Sequence, residues 1–292
     1  MENLLIIGCG DVARRALPGL LRRYRVAALV RSREPALVAS GVELIEGDLD
    51  DSASLASLAG RAERIAHLAP PARSGSIDSR TRNLIAALAP RGRGAMLPQR
   101  FLYLSTSGVY GDCASEWVEE TRPPKPQTER ARRRLDAERA LGEWGERNKV
   151  EIVILRVPGI YASDRLPLDR LIRGAPALAS EEDVYTSHIH ADDLAAIVAA
   201  ALEVKQARGI YNASDDGPMK MGDFFDLIAD RAGLKRPPRV SRAEAVRRVT
   251  NEMFSFMSES RRLVNRRMKA ELGVQLRYPT VADGIPMTAP TA

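Results

Sequence analysis

Apolar residues in this chain come in short runs, and in the first half those runs are continuous rather than alternating. Residues 3–8 form such a run, ending in glycine. That predicts a strand buried on both faces, as in a parallel sheet. Residues 26–30, 42–45, 64–68, 101–105 and 150–156 repeat the pattern. Between them lies helical spacing at 12–21, about 51–60, 76–89 and about 127–147, with Pro18 expected to kink or shorten the first helix. Strands alternating with helices imply right-handed crossovers and an α/β doubly wound parallel sheet of the Rossmann type.

After residue 157 the rhythm loosens. Residues 158–187 carry Gly, Pro and Asp and predict one short helix. Residues 192–202 read as a helix with Asp at its start, 210–212 as a strand, and 221–232 and 241–272 as helices. The expected division is a dinucleotide-binding domain of 1–157 with 188–212, and a smaller substrate-binding cap of 158–187 with 213–292. The cap should lie over the carboxyl edge of the sheet, where open α/β sheets bind ligands.

Composition adds boundaries. The chain has 292 residues, ample for a buried core. No apolar run nears the roughly 18–20 residues of a membrane helix, so no membrane partner is expected. The start lacks the features of a secretory leader. Two cysteines, Cys9 and Cys113, give neither a disulfide framework nor metal-ligand spacing, and the expected location is cytoplasmic. The net charge of +6 is mostly scattered arginine. This fits attraction of small anions, and the Arg-rich stretch 130–139 lacks the aromatic interleaving of a nucleic-acid binder.

The most informative local feature is Gly8-Cys9-Gly10-Asp11-Val12-Ala13, a G-x-G-x-x-A turn directly after a strand and opening a helix. The first glycine allows the tight turn, the second lets backbone approach a pyrophosphate, and the small alanine lets helix and strand pack closely. Free N–H groups at the helix start, around Asp11 and Val12, complete a phosphate site. An NAD site places an acid after the second strand to hold the ribose 2′-hydroxyl. Here stand Arg31, Ser32 and Arg33, a pairing suited to a 2′-phosphate. NADP is therefore the expected cofactor, with NAD the alternative. The plainer reading of both arginines is solvated loop charge. Asp48 and Leu49, after the third strand, are expected beside the adenine.

Several further segments, taken in order, resemble the NAD-dependent epimerase/dehydratase family, the extended and atypical short-chain dehydrogenases/reductases. Gly47-Asp48-Leu49 is similar to the family's adenine-side segment, and His67-Leu68-Ala69-Pro70 to its strand end beside the cofactor. Ser105-Thr106-Ser107-Gly108-Val109-Tyr110-Gly111 resembles its S-S/T-x-x-V-Y-G. Leu155 to Tyr161, His188 to Ala195 and Tyr211 to Asp215 resemble later family segments. The resemblance implies an oxidoreductase or epimerase acting on a small carbonyl or hydroxyl compound, such as a nucleotide sugar, as a monomer or homodimer.

Two departures matter. The glycine turn is one residue tighter than the family's G-x-x-G-x-x-G. The family's catalytic Y-x-x-x-K is missing, and Arg130 and Arg134 fall on the Tyr and Lys positions. In the family, the phenol exchanges a proton with substrate while nicotinamide carries the hydride, and the ammonium lowers the phenol pKa. Arginine, with a pKa above ~12, cannot exchange that proton. Thr106 survives at the Ser/Thr position, either to polarise a substrate oxygen or simply to cap backbone. Tyr110 and Tyr161 are candidate displaced acid/base groups, with a structural role the alternative for each. His188 and His190, two apart in an extended segment, should share a face. Two functions follow: an NADP-linked oxidoreductase with an unassigned proton donor, or a non-catalytic NADP(H)-binding sensor.

Overall fold

A computed structural model of the chain describes residues 1–89 and 96–286. Seven parallel strands form one sheet: β1 (Glu2–Ile7), β2 (Tyr24–Val30), β3 (Glu43–Glu46), β4 (Arg64–His67), β5 (Arg100–Thr106), β6 (Glu151–Val157) and β7 (Gly209–Asn212). Their spatial order is β7-β6-β5-β4-β1-β2-β3. The chain winds outward from β1 to β3, then crosses to the other side of β1. The crevice at that switch, between β1 and β4, is where such sheets bind ligands.

The continuous apolar runs are explained by burial on both faces. Leu4 and Ile6 of β1 pack with α1 (Asp11–Leu20) and with the Ala191–Glu203 helix. Leu5 and Ile7 pack on the opposite face, with the Ser79–Ala87 and Glu129–Asn148 helices. Each buried Leu or Ile contributes on the order of 1.5–3 kcal/mol. Pro18 does not break α1. It lies in the last turn, and the Leu21 N–H still reaches the Leu17 carbonyl.

Over the carboxyl edge of the sheet lie short strand pairs. His188–His190 pairs with Gly159–Tyr161, Tyr185–Thr186 with Met219–Lys220, and Ala177–Leu178 with Arg239–Val240. The Met221–Ala232 helix buries Phe224, Phe225 and Ile228 against Tyr161 and Leu171. The helix expected over 241–272 is not one element. It divides into Arg242–Arg248, Asn251–Phe256, the strand Arg262–Leu263, and Arg266–Leu272. Ser241 and Thr250 each accept a backbone N–H three residues on and so start new helices. The last of these helices returns to the sheet, where Met268 and Leu272 join the core around β7. Among the described residues no helix is long and apolar enough to cross a membrane, and no His/Cys/Asp/Glu cluster could hold a metal.

Candidate active site

Two cavities open at the carboxyl edge of the sheet. The first, of about 600 Å³, lies at the β1/β4 switch, and Gly8, Gly10, Arg31, Asp48, Leu49, Leu68 and Ala69 all line it. Gly8 has a φ of +89°, and a Cβ there would sit 2.6 Å from the Ala69 backbone. Only glycine allows β1 and the end of β4 to come this close. Gly10 differs: a Cβ on it would meet no protein atom within 4 Å. Its missing side chain keeps the cavity clear at the start of α1. That helix has no capping side chain, so its first N–H groups and the positive end of its dipole are left for an anion. These residues fit a dinucleotide pyrophosphate.

Other expected contacts fall elsewhere. The Asp11 carboxylate accepts from Arg15 at 2.9 Å and from Arg165 at 2.7 Å and does not line the cavity, while the Val12 side chain is core. Only their backbone N–H groups remain available. Arg31 is exposed on the cavity wall, but Arg33 lines a separate hollow with Val42 and Glu43. The two arginines thus line different hollows. An acid also reaches the cavity: Glu34, ion-paired with Arg14. It follows the strand by four residues, beyond the usual position. Arg14, Arg73 and Arg80 line the cavity as well, and nothing in the sequence pattern singled them out. Arg80 is held by both carboxylate oxygens of Asp50, at 2.8 and 2.6 Å. His67, next to Leu68 in sequence, is a core group. Its Nε2 lies 3.0 Å from the Thr81 hydroxyl, and burial lowers its pKa to about 3.

The second cavity, of about 370 Å³, lies between the sheet edge and the cap. Thr106, at the end of β5, lines it. Its Oγ1 accepts the Gly108 N–H at 3.2 Å, which leaves its own O–H free to donate. The strand end beneath is fixed by a buried pair. Glu138 Oε2 accepts from Arg156 Nη2 at 2.7 Å, and the Arg156 guanidinium lies 4.6 Å from the Tyr110 ring centroid.

Neither candidate phenol is free. Tyr110 is 1% exposed, outside the cavity, and donates to Asn212 at 2.8 Å; burial pushes its pKa up to about 12. Tyr161 gives the cavity a ring wall, but its hydroxyl donates to the Thr280 carbonyl at 3.0 Å, and burial raises its pKa further. The expected shared face of the two histidines exists: both rings stand edge-on to Tyr161. Only His188 lines the cavity. It stacks on Phe224 at 4.2 Å, and burial lowers its pKa to about 3, so it is neutral near pH 7. His190 instead accepts the Asp192 N–H at 3.2 Å and caps a helix.

The two arginines at the Tyr and Lys positions have separate environments. Arg130 lines the second cavity, 4.2 Å from the Phe256 ring centroid. Arg134 reaches back to the Ala69 carbonyl at 3.2 Å and the Tyr103 hydroxyl at 3.1 Å. Arg133 is buried and donates to the Gly75 carbonyl. The Arg-rich helix therefore turns part of its charge inward. Arg165, Arg170, Glu259, Arg261 and the phenylalanines also line this cavity. They come from three stretches far apart in sequence, 165–170, 224–225 and 256–261, with no spacing to announce them.

A model of the NAD dependent epimerase/dehydratase family matches residues 5–214. A functionally unknown conserved protein from Silicibacter pomeroyi is 28% identical, over 97% of this chain and 96% of that one, with a TM-score of 0.76. The Thermus thermophilus UDP-glucose 4-epimerase, solved with NAD, is 22% identical over 98% and 97%, with a TM-score of 0.75. The Bacillus cereus UDP-glucuronic acid 4-epimerase, solved with UDP-glucuronic acid and NAD, is 18% identical over 97% and 96%, with a TM-score of 0.74. No curated protein matches the chain.

Proposed function

This chain belongs to the NAD dependent epimerase/dehydratase family, and from that premise we propose that it is an NADP(H)-linked oxidoreductase of a small carbonyl or hydroxyl compound. The dinucleotide would lie in the first cavity and the substrate in the second. Gly8, Gly10 and the first N–H groups of α1 would hold the pyrophosphate, Asp48 and Leu49 the adenine side, and Leu68 and Ala69 the nicotinamide side. Arg31, exposed and without an ion-pair partner among the described residues, would meet the 2′-phosphate. Nicotinamide supplies or accepts the hydride when bound. Thr106 would donate its free O–H to the reacting oxygen and stabilise charge developing there.

The observation that carries the reading is Gly10, whose absent side chain leaves open space at a bare helix start. Saturable NADPH binding, lost in Gly10→Val, is the test. The UDP-sugar epimerases above act on nucleotide sugars by name, and a sugar-like substrate would take the same cavity.

A second reading is favoured by one specific finding. Arg130 and Arg134 occupy the acid/base positions, and both nearby phenols are committed to other partners. A protein so built could bind NADP(H) as a sensor without turnover. Binding without oxidation of NADPH across a broad carbonyl and nucleotide-sugar screen would select it.

A further inference from the structure

The second cavity holds more positive charge than its own carboxylates neutralise. Four arginines line it. Two are matched: Arg165 pairs with Asp11 at 2.7 Å, and Arg261 with the buried Glu259 at 2.7 Å. Arg170 has no acidic partner among the described residues. It lies 4.6 Å from the Phe225 ring centroid, its Nη2 donates to the Pro176 carbonyl, and its buried Nε has no hydrogen-bond partner. Arg130 pairs with Glu252 at 3.2 Å, on a side chain that is 76% exposed and of the kind worth little, and it also feels the buried Glu259, which Arg261 already engages. Burial lowers the pKa of both guanidiniums, and for Arg170 burial is the sole cause.

A half-buried cation without a counter-charge is costly unless a ligand supplies one. Both guanidiniums lie over phenylalanine rings, which fixes their planes for fork-like contact with an oxyanion. The helix carrying Arg130 begins at the same cavity: its N-cap Thr128 and its Ala131 line the wall. Its dipole adds positive potential. Gly108 links this helix start to Thr106, since a Cβ on it would lie 3.5 Å from Thr106 Oγ1 and 3.7 Å from Ala131 Cβ.

We infer that the substrate is an organic anion whose carboxylate or phosphate is bound by Arg130 and Arg170, on an apolar bed of phenylalanine and methionine side chains and close to the reacting oxygen at Thr106. The position that gives the family its proton-exchanging phenol has here become part of an anion site. The inference rests on the cavity assignment above.

The test is binding to NADP⁺-loaded protein of isosteric probe pairs that differ in charge: benzoate against benzamide, propionate against propionamide, and phenyl phosphate. NADP⁺ affinity is titrated in the same samples, so that loss of the cofactor reading shows separately. The acids should bind at least about tenfold more tightly than their amides. The preference should fall by about tenfold in Arg130→Gln and in Arg170→Gln, with NADP⁺ affinity unchanged. Arg130→Lys and Arg170→Lys, which keep the charge, should retain part of it and control for misfolding. Benzoate against phenyl phosphate decides between the two anions. Equal binding of acids and amides, no binding of either, or a preference indifferent to both glutamine variants overturns the inference.

Discussion

The two cavities are built by different means. The cavity at the β1/β4 switch is made largely of backbone: a glycine turn, a bare helix start and the ends of strands, with arginines at its rim. The cavity under the cap is made of side chains brought from separate segments, among them Arg130, Arg170 and His188. A backbone site depends on a few positions where any side chain is too many. A side-chain site depends on which groups are present and how they are already engaged. The first should therefore fail at single glycines, and in the second each side chain should fail according to what it does, steeply at Thr106 and little at the committed phenols.

The largest effect is expected at the glycines, and the two should fail differently. Gly10→Val should reduce NADPH affinity more than about a hundredfold, because the added group enters the space the pyrophosphate needs. It should still fold, since nothing of the protein occupies that space. Gly8→Val should lose the fold itself. Its Cβ would overlap the Ala69 backbone, and a β-branched residue at φ +89° adds strain of order 1–3 kcal/mol. Fluorescence titration with circular dichroism separates the two cases, and a folded Gly8→Val that binds normally would break the comparison.

On the side-chain cavity, Thr106→Val should lower kcat on the order of 10²–10³-fold with any substrate the protein reduces, as for loss of an oxyanion donor. Tyr110→Phe and Tyr161→Phe should keep kcat within about threefold. Each should instead cost about 1 kcal/mol of stability in urea unfolding, because their hydroxyls serve buried hydrogen bonds. A collapse of kcat in either phenylalanine variant would return that phenol to the chemistry.

A smaller effect separates the two arginines after β2. Arg31→Ala should reduce NADPH affinity about tenfold relative to NADH, as for one charge-assisted contact. Arg33→Ala should change it by less than about twofold, since Arg33 faces another hollow. Equal losses in both would restore the paired clamp that the sequence suggested.

The mildest effect is on stability with pH. His67 and His188 have folded-state pKa values near 3 against 6.5 unfolded, so the stability they give is present above pH 6.5 and fades as pH falls toward 3. Asp215 is raised by burial to about 8 from 3.8, so its contribution is present below pH 4 and lost as pH rises through 8. These three groups together favour an optimum near pH 6–7. Asp215→Asn should flatten the alkaline side and leave the acid side, by urea unfolding at pH 5, 6.5 and 8.5. An alkaline side that stays as steep in the variant would rule out Asp215 as its cause.

What could be read from the sequence follows the same division. The sheet was legible because strands buried on both faces need continuous apolar runs, and the glycine turn because its geometry is local. The cap helices were less so. Residues 241–272 read as helical, but the Ser241 and Thr250 caps and the pairing of Arg262–Leu263 with Trp117–Val118 divide them. Tyr110 looked chemical by its place after Thr106, yet a tight helical turn carries its ring into the core. Glu34 was overlooked because the chain turns after Arg31 and brings back a residue three positions later. The excess charge around Arg130 and Arg170 had no signature at all, since it exists only when separate segments meet.

The central claim is that the glycine-turn cavity binds a phosphorylated dinucleotide, although the family's proton-transfer pair is gone. Parallel titration of the unmodified protein with NADPH and NADH tests it most directly. The account predicts one saturable site with NADPH bound at least about tenfold more tightly, a difference of about 1.4 kcal/mol. Equal affinity, tighter binding of NADH, or no saturable binding of either dinucleotide would contradict it.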